Sequence, residues 1–301
     1  MADRPQKAEW FGKTRKGTRP KGPVARGREK AREGMTRARA MAPSATPLWR
    51  KLGSYLEIRD EEKGFLAELE RTIVGHPPRT DLLRQGERYG DVRVMRDGWA
   101  MRHKALPDGR RQVVNFVLPG DIIGIYCNLF DIADHSVTTL TAVSVANFPP
   151  ERVVELFQRF PRLAAALAWA GAKEEAIVAE RLLSLGRRTA LERTAHLIVE
   201  LLRRLTVVNL AENGRFTLPV TQEILADALG LSIVHMNRTL RRLRDGGLIE
   251  LNGQKITVND LRQLASVGQF DELYLHLIRA PKRLDQVFDT TRGDRGDVRL
   301  A

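Results

Sequence analysis

The feature that most constrains the fold is the segment at residues 219–250, with the sequence PVTQEILADALGLSIVHMNRTLRRLRDGGLIE. It holds two short stretches with apolar residues at helical spacing, separated by Gly230, and a pair of glycines follows the second stretch. Thr221 and Ser232 precede the two stretches and are predicted N-caps, because a hydroxyl accepts a free backbone N–H of the first turn. The segment therefore predicts two packed helices joined by a tight glycine turn.

The second predicted helix has two different faces. On a helical wheel its apolar residues cluster on one side, and they are Ile233, Met236, Leu240 and Leu243. The opposite side and its flanks carry Val234, Arg238, Arg241, His235, Arg242 and Asn237. After this helix, Asn252-Gly253 lies between two apolar runs and predicts a β-hairpin. The pattern is typical of a winged helix-turn-helix, and an amphipathic helix with a solvated cationic face is the alternative.

In such a module the first turns of the second helix contact base edges in the major groove. Arg238 can bind guanine O6 and N7, Asn237 can bind adenine, and Val234 can contact a thymine methyl. Arg241 and Arg242 lie further along, where phosphates are the expected ligands. The predicted DNA-binding residues are Thr221, Gln222, Ser232, Val234, His235, Asn237, Arg238, Arg241, Arg242 and Lys255.

Charge is unevenly distributed along the 301 residues. Residues 1–50 hold 14 Lys or Arg and 4 Asp or Glu, so they carry +10 of the total net charge of +13. Residues 1–47 predict a disordered basic tail, which is either an anchor on DNA phosphates, a segment without a role, or the result of an incorrectly assigned start codon, since Met35 and Met41 precede the ordered sequence. Cys127 is the single cysteine, which excludes an internal disulfide and a cysteine-ligated cluster. Without a long apolar run or a secretory h-region, we expect a cytoplasmic protein with no membrane partner.

The remaining segments predict an α+β chain. Residues 49–74 have apolar residues at helical spacing, interrupted by Gly64. In residues 82–148, apolar and polar residues alternate in short runs that are separated by turns of Gly, Pro and Asp. This predicts a β-roll or jelly roll over 48–160, closed by a helix at 151–160. A long helix over 163–185, interrupted at Gly186, predicts a dimerisation helix and hinge over 161–187. A helix at 189–205 begins a DNA-binding domain over 188–275, and a tail follows over 276–301.

The long helix has more apolar surface than a small β-domain can cover. Pairing with the same helix of a second copy would bury it, and packing within one chain is the alternative. The residues predicted for this homodimer contact are Leu163, Leu167, Ala170, Ile177 and Val178.

A β-roll, a long helix, a glycine hinge and a winged helix-turn-helix, in that order, resemble the CRP/FNR family of bacterial transcription regulators. The resemblance covers about residues 48–275 and is most specific at 219–258 and in LPDGRRQVVNFVLPGD, residues 106–121. It implies a cyclic-nucleotide-binding-like β-roll and a homodimer on near-palindromic double-stranded DNA, with recognition helices ~34 Å apart. It implies a regulator and not an enzyme, with RNA polymerase as a further partner of an activator.

Two departures from the family change what the resemblance implies. Ser232 and Arg238 match the family's recognition-helix serine and base-contacting arginine, but Val234 occupies the place of a base-contacting glutamate. A valine cannot accept a hydrogen bond from cytosine, so we expect a different half-site. In the sensor, Gly124 is kept while Ile125 replaces a ribose-binding glutamate. Asp134 or His135 stands near the place of the phosphate-binding arginine, so binding of cyclic AMP in the usual manner is not expected.

The predicted effector pocket comprises Gly120, Asp121, Gly124, Ile125, Tyr126, Cys127, His135 and Ser136, and its effector is unknown. No cofactor, metal or catalytic residue is expected. Haem on His76, His103 or His135 stays open, as does a redox role for Cys127 against an inert thiol. Alternatives for the whole protein are a constitutive regulator with a vestigial sensor, a nucleoid-type binder, and a cupin-type metalloenzyme. The six histidines are too scattered to favour the enzyme.

Overall fold

The β-domain and the helices that follow it are seen in a computed structural model that describes residues 45–125 and 129–277. The predicted tail at 1–47, apart from its last three residues, lies outside the described residues. So do Tyr126, Cys127 and the predicted C-terminal tail from residue 278 onward.

Two four-stranded antiparallel sheets form the β-domain. The first has the order β1 (Ile73–His76), β8 (Val143–Phe148), β3 (Val92–Asp97) and β6 (Ile122–Ile123). The second has the order β2 (Asp81–Leu83), β7 (Ser136–Thr139), β4 (Ala100–Ala105) and β5 (Arg111–Val117). Alternate residues of both sheets fill the interior, among them Met95, Val117, Ile123, Val137 and Val145. The predicted β-roll is confirmed, but the alternating stretch at 137–148 divides into two strands of different sheets.

Four helices flank the roll. They are α1 (Pro47–Gly53), α2 (Asp60–Leu69), α3 (Glu151–Arg159) and α4 (Pro161–Arg187). The predicted interruption at Gly64 is wrong, because Gly64 lies inside a continuous helix. The predicted interruption at Gly186 is one residue early, because α4 ends at Arg187 and the backbone of Arg188 is extended. The 27 residues of α4 give it a length of about 40 Å.

The C-terminal domain is a winged helix-turn-helix. Its elements are α5 (Ala190–Val207), β9 (Ala211–Glu212), β10 (Arg215–Thr217), α6 (Gln222–Leu229), α7 (Ile233–Asp245), β11 (Ile249–Asn252), β12 (Lys255–Val258) and α8 (Leu261–Val267), with a 3₁₀ turn at Glu272–Leu275. The strands form one sheet in the order β11-β12-β10-β9. The β9–β10 hairpin was not predicted. In the wing, Asn252 pairs with Lys255, so the turn consists of Gly253 and Gln254 and not of Asn252 and Gly253.

The roll and the DNA-binding domain share one apolar core. Trp99 and Met101 of the β3–β4 region, with Val113 and Phe116 of β5, belong to the same buried cluster as the apolar faces of α5, α6 and α7. Polar contacts border this cluster: the Arg111 guanidinium lies 2.6 Å from the Asp227 carboxylate of α6. The outer face of the roll therefore packs in the hydrophobic core of the DNA-binding domain.

Candidate nucleic-acid interface

Helix α7 presents a polar and cationic face to solvent. Met236, Leu240 and Leu243 are buried against the rest of the domain. The exposed residues are Ser232, Ile233, Val234, His235, Asn237, Arg238, Arg241, Arg242, Arg244 and, at the end of the helix, Asp245. The structure places Ile233 differently from the prediction, since its side chain is 48% exposed and not packed with the apolar face. Seven of the ten predicted DNA-binding residues thus lie together on one exposed helix.

Local hydrogen bonds cap the N-termini of α6 and α7. Ser232 Oγ accepts the backbone N–H of His235 at 3.2 Å, and Thr221 Oγ1 accepts that of Ile224 at 3.3 Å. Between the helices Gly230 has φ +60°, a left-handed conformation that a side chain rarely adopts, and an added Cβ would lie 3.3 Å from Leu185. Both predicted caps and the glycine turn are therefore present, and Thr221 and Gln222 are exposed beside α7.

The arginines of this face have no partner among the residues that the structure describes. Within the described part of the chain, Arg238, Arg241 and Arg242 form no ion pair and no side-chain hydrogen bond. Lys255 begins the second wing strand and is also exposed. Unpaired guanidinium groups on a protruding helix can bind phosphates and guanine edges without first breaking an internal bond.

Comparison with protein families identifies both halves of the chain. Residues 74–160 match the cyclic nucleotide-binding domain, and residues 192–267 match the Crp-like helix-turn-helix domain. The transcriptional activator protein FnrL of Cereibacter sphaeroides is 32% identical over 183 residues, which cover 60% of this chain and 73% of FnrL. The nitrogen fixation regulation protein FixK of Azorhizobium caulinodans is 33% identical over 196 residues, which cover 61% of this chain and 77% of FixK.

The chain belongs to the CRP/FNR family of DNA-binding transcription regulators. The solved structure of FixK2 from Bradyrhizobium japonicum has the same arrangement, with a TM-score of 0.60 and 26% identity, covering 65% of this chain and 96% of FixK2. The order of roll, long helix and winged helix-turn-helix is therefore the CRP/FNR order.

The residues predicted for the effector pocket of this CRP/FNR protein are only partly brought together. Gly120, Asp121 and Ile125 line a cavity between the roll and helices α1, α3 and α4, whereas Gly124, His135 and Ser136 do not line it. Ser136 Oγ accepts the backbone N–H of Gln85 at 3.0 Å.

His135 is instead bonded to Asp134, with Nδ1 2.7 Å from Oδ1. This hydrogen bond from His135, with the Lys104 ammonium 3.0 Å from the other oxygen, lowers the pKa of Asp134 to about 2. Burial of the His135 imidazole lowers its pKa below the usual value. The Asp134 carboxylate is consequently charged at neutral pH and occupied by internal partners.

A buried polar network joins the cavity wall to the DNA-binding domain, and sequence analysis missed it. The Arg204 guanidinium of α5 donates to Asn115 Oδ1 at 2.7 Å, to the Phe116 carbonyl at 2.8 Å and to Asp121 Oδ2 at 3.2 Å. Burial alone would raise the pKa of Asp121, but the charges of Lys51 and Arg204 hold this pKa below its usual value. These residues come from α1, β5, the β5–β6 turn and α5, so no local sequence pattern marks them.

The network continues to the end of the described chain. Glu200 lies 3.1 Å from Arg181 of α4 and accepts the Tyr274 hydroxyl at 3.1 Å. Burial raises the pKa of Glu200, but Arg181 and Arg204 hold it below its usual value. The carboxylate is thus kept charged inside the protein by two cations.

The predicted dimer residues of α4 do not form one exposed surface. Leu163, Leu167 and Ile177 are buried within the single chain, Ala170 is half-buried, and Val178 is 37% exposed. The prediction that Leu163, Leu167 and Ile177 face a second copy is wrong, because other parts of this chain already cover them. Leu163 and Leu167 belong to one apolar cluster with α1 and the roll, and Ile177 lies beside Leu118 and Val208. The exposed stripe consists of Ala168, Ala172, Glu175, Ala179, Leu182 and Gly186.

Two further kinds of site, a metal centre and a membrane-spanning helix, are not found among residues 45–125 and 129–277. No group of three or more His, Cys, Asp or Glu side chains there is arranged to hold a metal ion. In the same residues, no helix combines the length and apolar character that a membrane span requires. His103 Nε2 lies 2.8 Å from Thr138 Oγ1 on the outside of the roll, away from the cavity.

Proposed function

We propose that this protein is a homodimeric, sequence-specific regulator that recognises a near-palindromic operator with α7 of each copy. The proposal rests on the exposed face of α7, where Arg238, Arg241 and Arg242 have no partner within residues 45–125 and 129–277. Two related helices held about one DNA turn apart would enter successive major grooves of the same face.

Within each half-site, Arg238 lies in the second turn of α7 and is proposed to recognise a guanine through O6 and N7. Val234, 69% exposed, is proposed to contact a thymine methyl. Ser232, His235 and Asn237 complete the base-facing set, while Arg241, Arg242 and Lys255 bind phosphates. Thr221 and Gln222 lie at the start of α6, where the first helix of such modules crosses the DNA backbone.

The dimer is proposed to form through the exposed stripe of α4. Leu182 is 72% exposed, and an added Cβ at Gly186 would meet nothing within 4 Å. Small residues at Ala168, Ala172 and Ala179 allow the two helices to approach closely along this line. A solvent-exposed leucine on a 27-residue helix gains stability when a second copy covers it.

Two further elements of the function rest on the family. The relatives FnrA and FnrL are named transcriptional activators, and if this protein also activates, RNA polymerase is its second macromolecular partner. The roll is proposed to act as a sensor that does not bind cyclic AMP in the usual manner, because Ile125, which lines the cavity, stands where the family has a ribose-binding glutamate.

The decisive experiment is a selection from random double-stranded DNA with the full chain and with Arg238→Ala. The full chain should enrich a two-fold symmetric motif, and Arg238→Ala should lose preference at one base pair of each half-site. We expect the loss to be about 1–3 kcal/mol for the site with the preferred base.

The matched control is Arg71→Ala, which removes an exposed arginine that has no ion pair in the described part of the roll. It should select the same motif as the unchanged protein. If the full chain enriches no motif, the sequence-specific function is refuted. If Arg238→Ala enriches the same motif with equal strength, the role of Arg238 is refuted.

A further inference from the structure

The cavity between the roll and helices α1, α3 and α4 has a volume of about 470 Å³. That lies within the roughly 300–1,000 Å³ typical of small-molecule sites. Its walls are predominantly apolar and include Leu52, Val117, Ile125, Val153, Phe157 and Leu167. A ligand that fills this space must therefore bury a largely apolar body.

Four charged side chains also line the cavity, and three of them are satisfied by one another. The Lys51 ammonium lies 2.6 Å from Asp121 and 3.5 Å from Glu174. Glu174 also accepts the side-chain amide of Asn115 at 2.7 Å. These three groups thus form a closed polar wall at one side of the cavity.

The fourth charged residue, Arg102, has no such partner. Its guanidinium forms no ion pair and no hydrogen bond with any residue in the described ranges, and its Nε is buried without an acceptor. Arg102 comes from β4 and lines the same cavity as Val117 of the neighbouring β5. A buried guanidinium nitrogen without an acceptor is unfavourable, and an anionic ligand group would satisfy it.

The charge balance around the cavity also favours an anion. Asp121, Glu174 and Glu200 are offset by Lys51, Arg204 and Arg181, which leaves Arg102 and the buried Lys173 as the excess. Lys173 lies 5.6 Å from the Tyr55 ring, and burial together with the charges of Lys51 and Arg204 lowers its pKa to about 8. An added negative charge nearby would be attracted by both excess cations.

We propose that this cavity binds an aliphatic monocarboxylate, with its chain against the apolar wall and its carboxylate on the Arg102 guanidinium. A planar guanidinium can donate two parallel hydrogen bonds to one carboxylate, which a neutral ligand of the same shape cannot accept equally well.

The position of the cavity would let such an acid influence DNA binding. The ligand would contact Lys51, Asp121 and Glu174, and Asp121 with Asn115 holds Arg204 of α5. The Asp121 side chain therefore connects the cavity directly to α5 of the DNA-binding domain. This use as an effector, unlike the binding itself, rests on the proposed regulator function, and it requires different affinities for two states of the protein.

The test is a binding experiment without DNA on the purified full chain. Octanoate, decanoate and dodecanoate, below the concentrations at which they form micelles, are titrated by calorimetry and by thermal unfolding, with decanol and cyclic AMP as comparisons. The acids should raise the melting temperature by mass action. Decanol should bind at least about tenfold more weakly, because it lacks the charge-assisted bonds.

Three variants make the assignment specific. Arg102→Met should weaken decanoate binding by about tenfold or more while decanol binding stays the same. Ala170→Phe, which fills the cavity from α4, should abolish the binding of both. Arg71→Met, the matched loss of an exposed arginine outside the cavity, should bind as the unchanged protein does.

The proposal is overturned if none of the acids binds at millimolar concentration, or if decanol binds as tightly as decanoate. It is also overturned if Arg102→Met retains full affinity for decanoate, or if cyclic AMP alone stabilises the protein. Because no DNA is present, a failure here leaves the operator selection unaffected, and a failed selection leaves these titrations unaffected.

Discussion

Arginine lies in opposite surroundings in two regions of this molecule. One region is the junction between the roll and the DNA-binding domain, and the other is the exposed face of α7. At the junction, Arg204 and Arg181 are buried, and carboxylates lie 3.1–3.4 Å from their guanidinium groups. On α7, Arg238, Arg241 and Arg242 are exposed and have no partner among the described residues. The difference separates cations that hold this chain together from cations that are available to another molecule.

The energetic basis of this difference is desolvation. A charge removed from water must be compensated inside the protein, and Arg204 therefore has four acceptors within hydrogen-bond distance. An exposed guanidinium keeps its water and needs no internal acceptor. Substitutions in the two regions should consequently affect different measurements: stability at the junction and binding on α7.

The largest effect is expected from Arg204→Met. This change leaves the buried Asp121 and Glu200 carboxylates without one of their cations, so the free energy of unfolding should fall by about 3–5 kcal/mol. Chemical denaturation measures it. The neighbouring Arg203→Met is the control, since Arg203 is 39% exposed and its pair with Glu272 is at the surface. It should cost less than about 1 kcal/mol. Equal effects of the two substitutions would mean that the buried network does not stabilise the fold.

The next largest effect concerns the two sides of α4. Leu182→Asp should weaken the proposed dimer by roughly 1.5–3 kcal/mol for each leucine that the partner no longer buries, with the helical content of the chain unchanged. Sedimentation velocity and circular dichroism together measure this. Ile177→Asp, on the side that is 1% exposed, should instead unfold the chain. A Leu182→Asp protein that sediments as the unchanged protein does would place the dimer contact elsewhere.

The smallest effect is expected from Arg241→Gln on α7. Because Arg241 is proposed to bind a phosphate, affinity should fall by a similar factor for every DNA sequence. The slope of log affinity against log salt concentration should fall by about 1. Fluorescence anisotropy at several salt concentrations measures it, with Arg71→Gln as the control that leaves the slope unchanged. A loss restricted to one base pair would assign Arg241 to base recognition.

The helix-turn-helix could be predicted from the sequence because its signals are local. The caps Thr221 and Ser232, the left-handed Gly230 and the apolar spacing of α7 all lie within a few residues of the structure that they specify. Ile233 was placed wrongly because the first residue of a helix can lie beyond the edge of its packing partner, whatever its position on the wheel.

The glycines show where a local signal is weak. A single glycine in a helix costs only about 1 kcal/mol relative to alanine, so Gly64 and Gly186 are tolerated where their neighbours favour the helix. By contrast, Asn213-Gly214 between β9 and β10 is a strong local signal for the hairpin that these strands form.

The junction could not be predicted because its partners are far apart in the sequence. Lys51, Asp121 and Arg204 span more than half of the chain, and each resembles an ordinary surface charge when viewed alone. The same is true of Arg102, whose lack of a partner is visible only after the strands are paired. Apolar periodicity predicts that α4 has a buried side, but it does not say whether this chain or a second copy covers it.

The shared wall formed by β5 has a consequence for dissecting this protein. A C-terminal fragment that begins at residue 188 would lose Trp99, Met101 and Phe116 from its core. It would also leave Arg204 and Asp227 without their partners from the roll. A roll fragment ending at residue 160 would expose these same apolar side chains to water. The chain therefore has two recognisable domains but a single folding unit, and a change in β5 alters both.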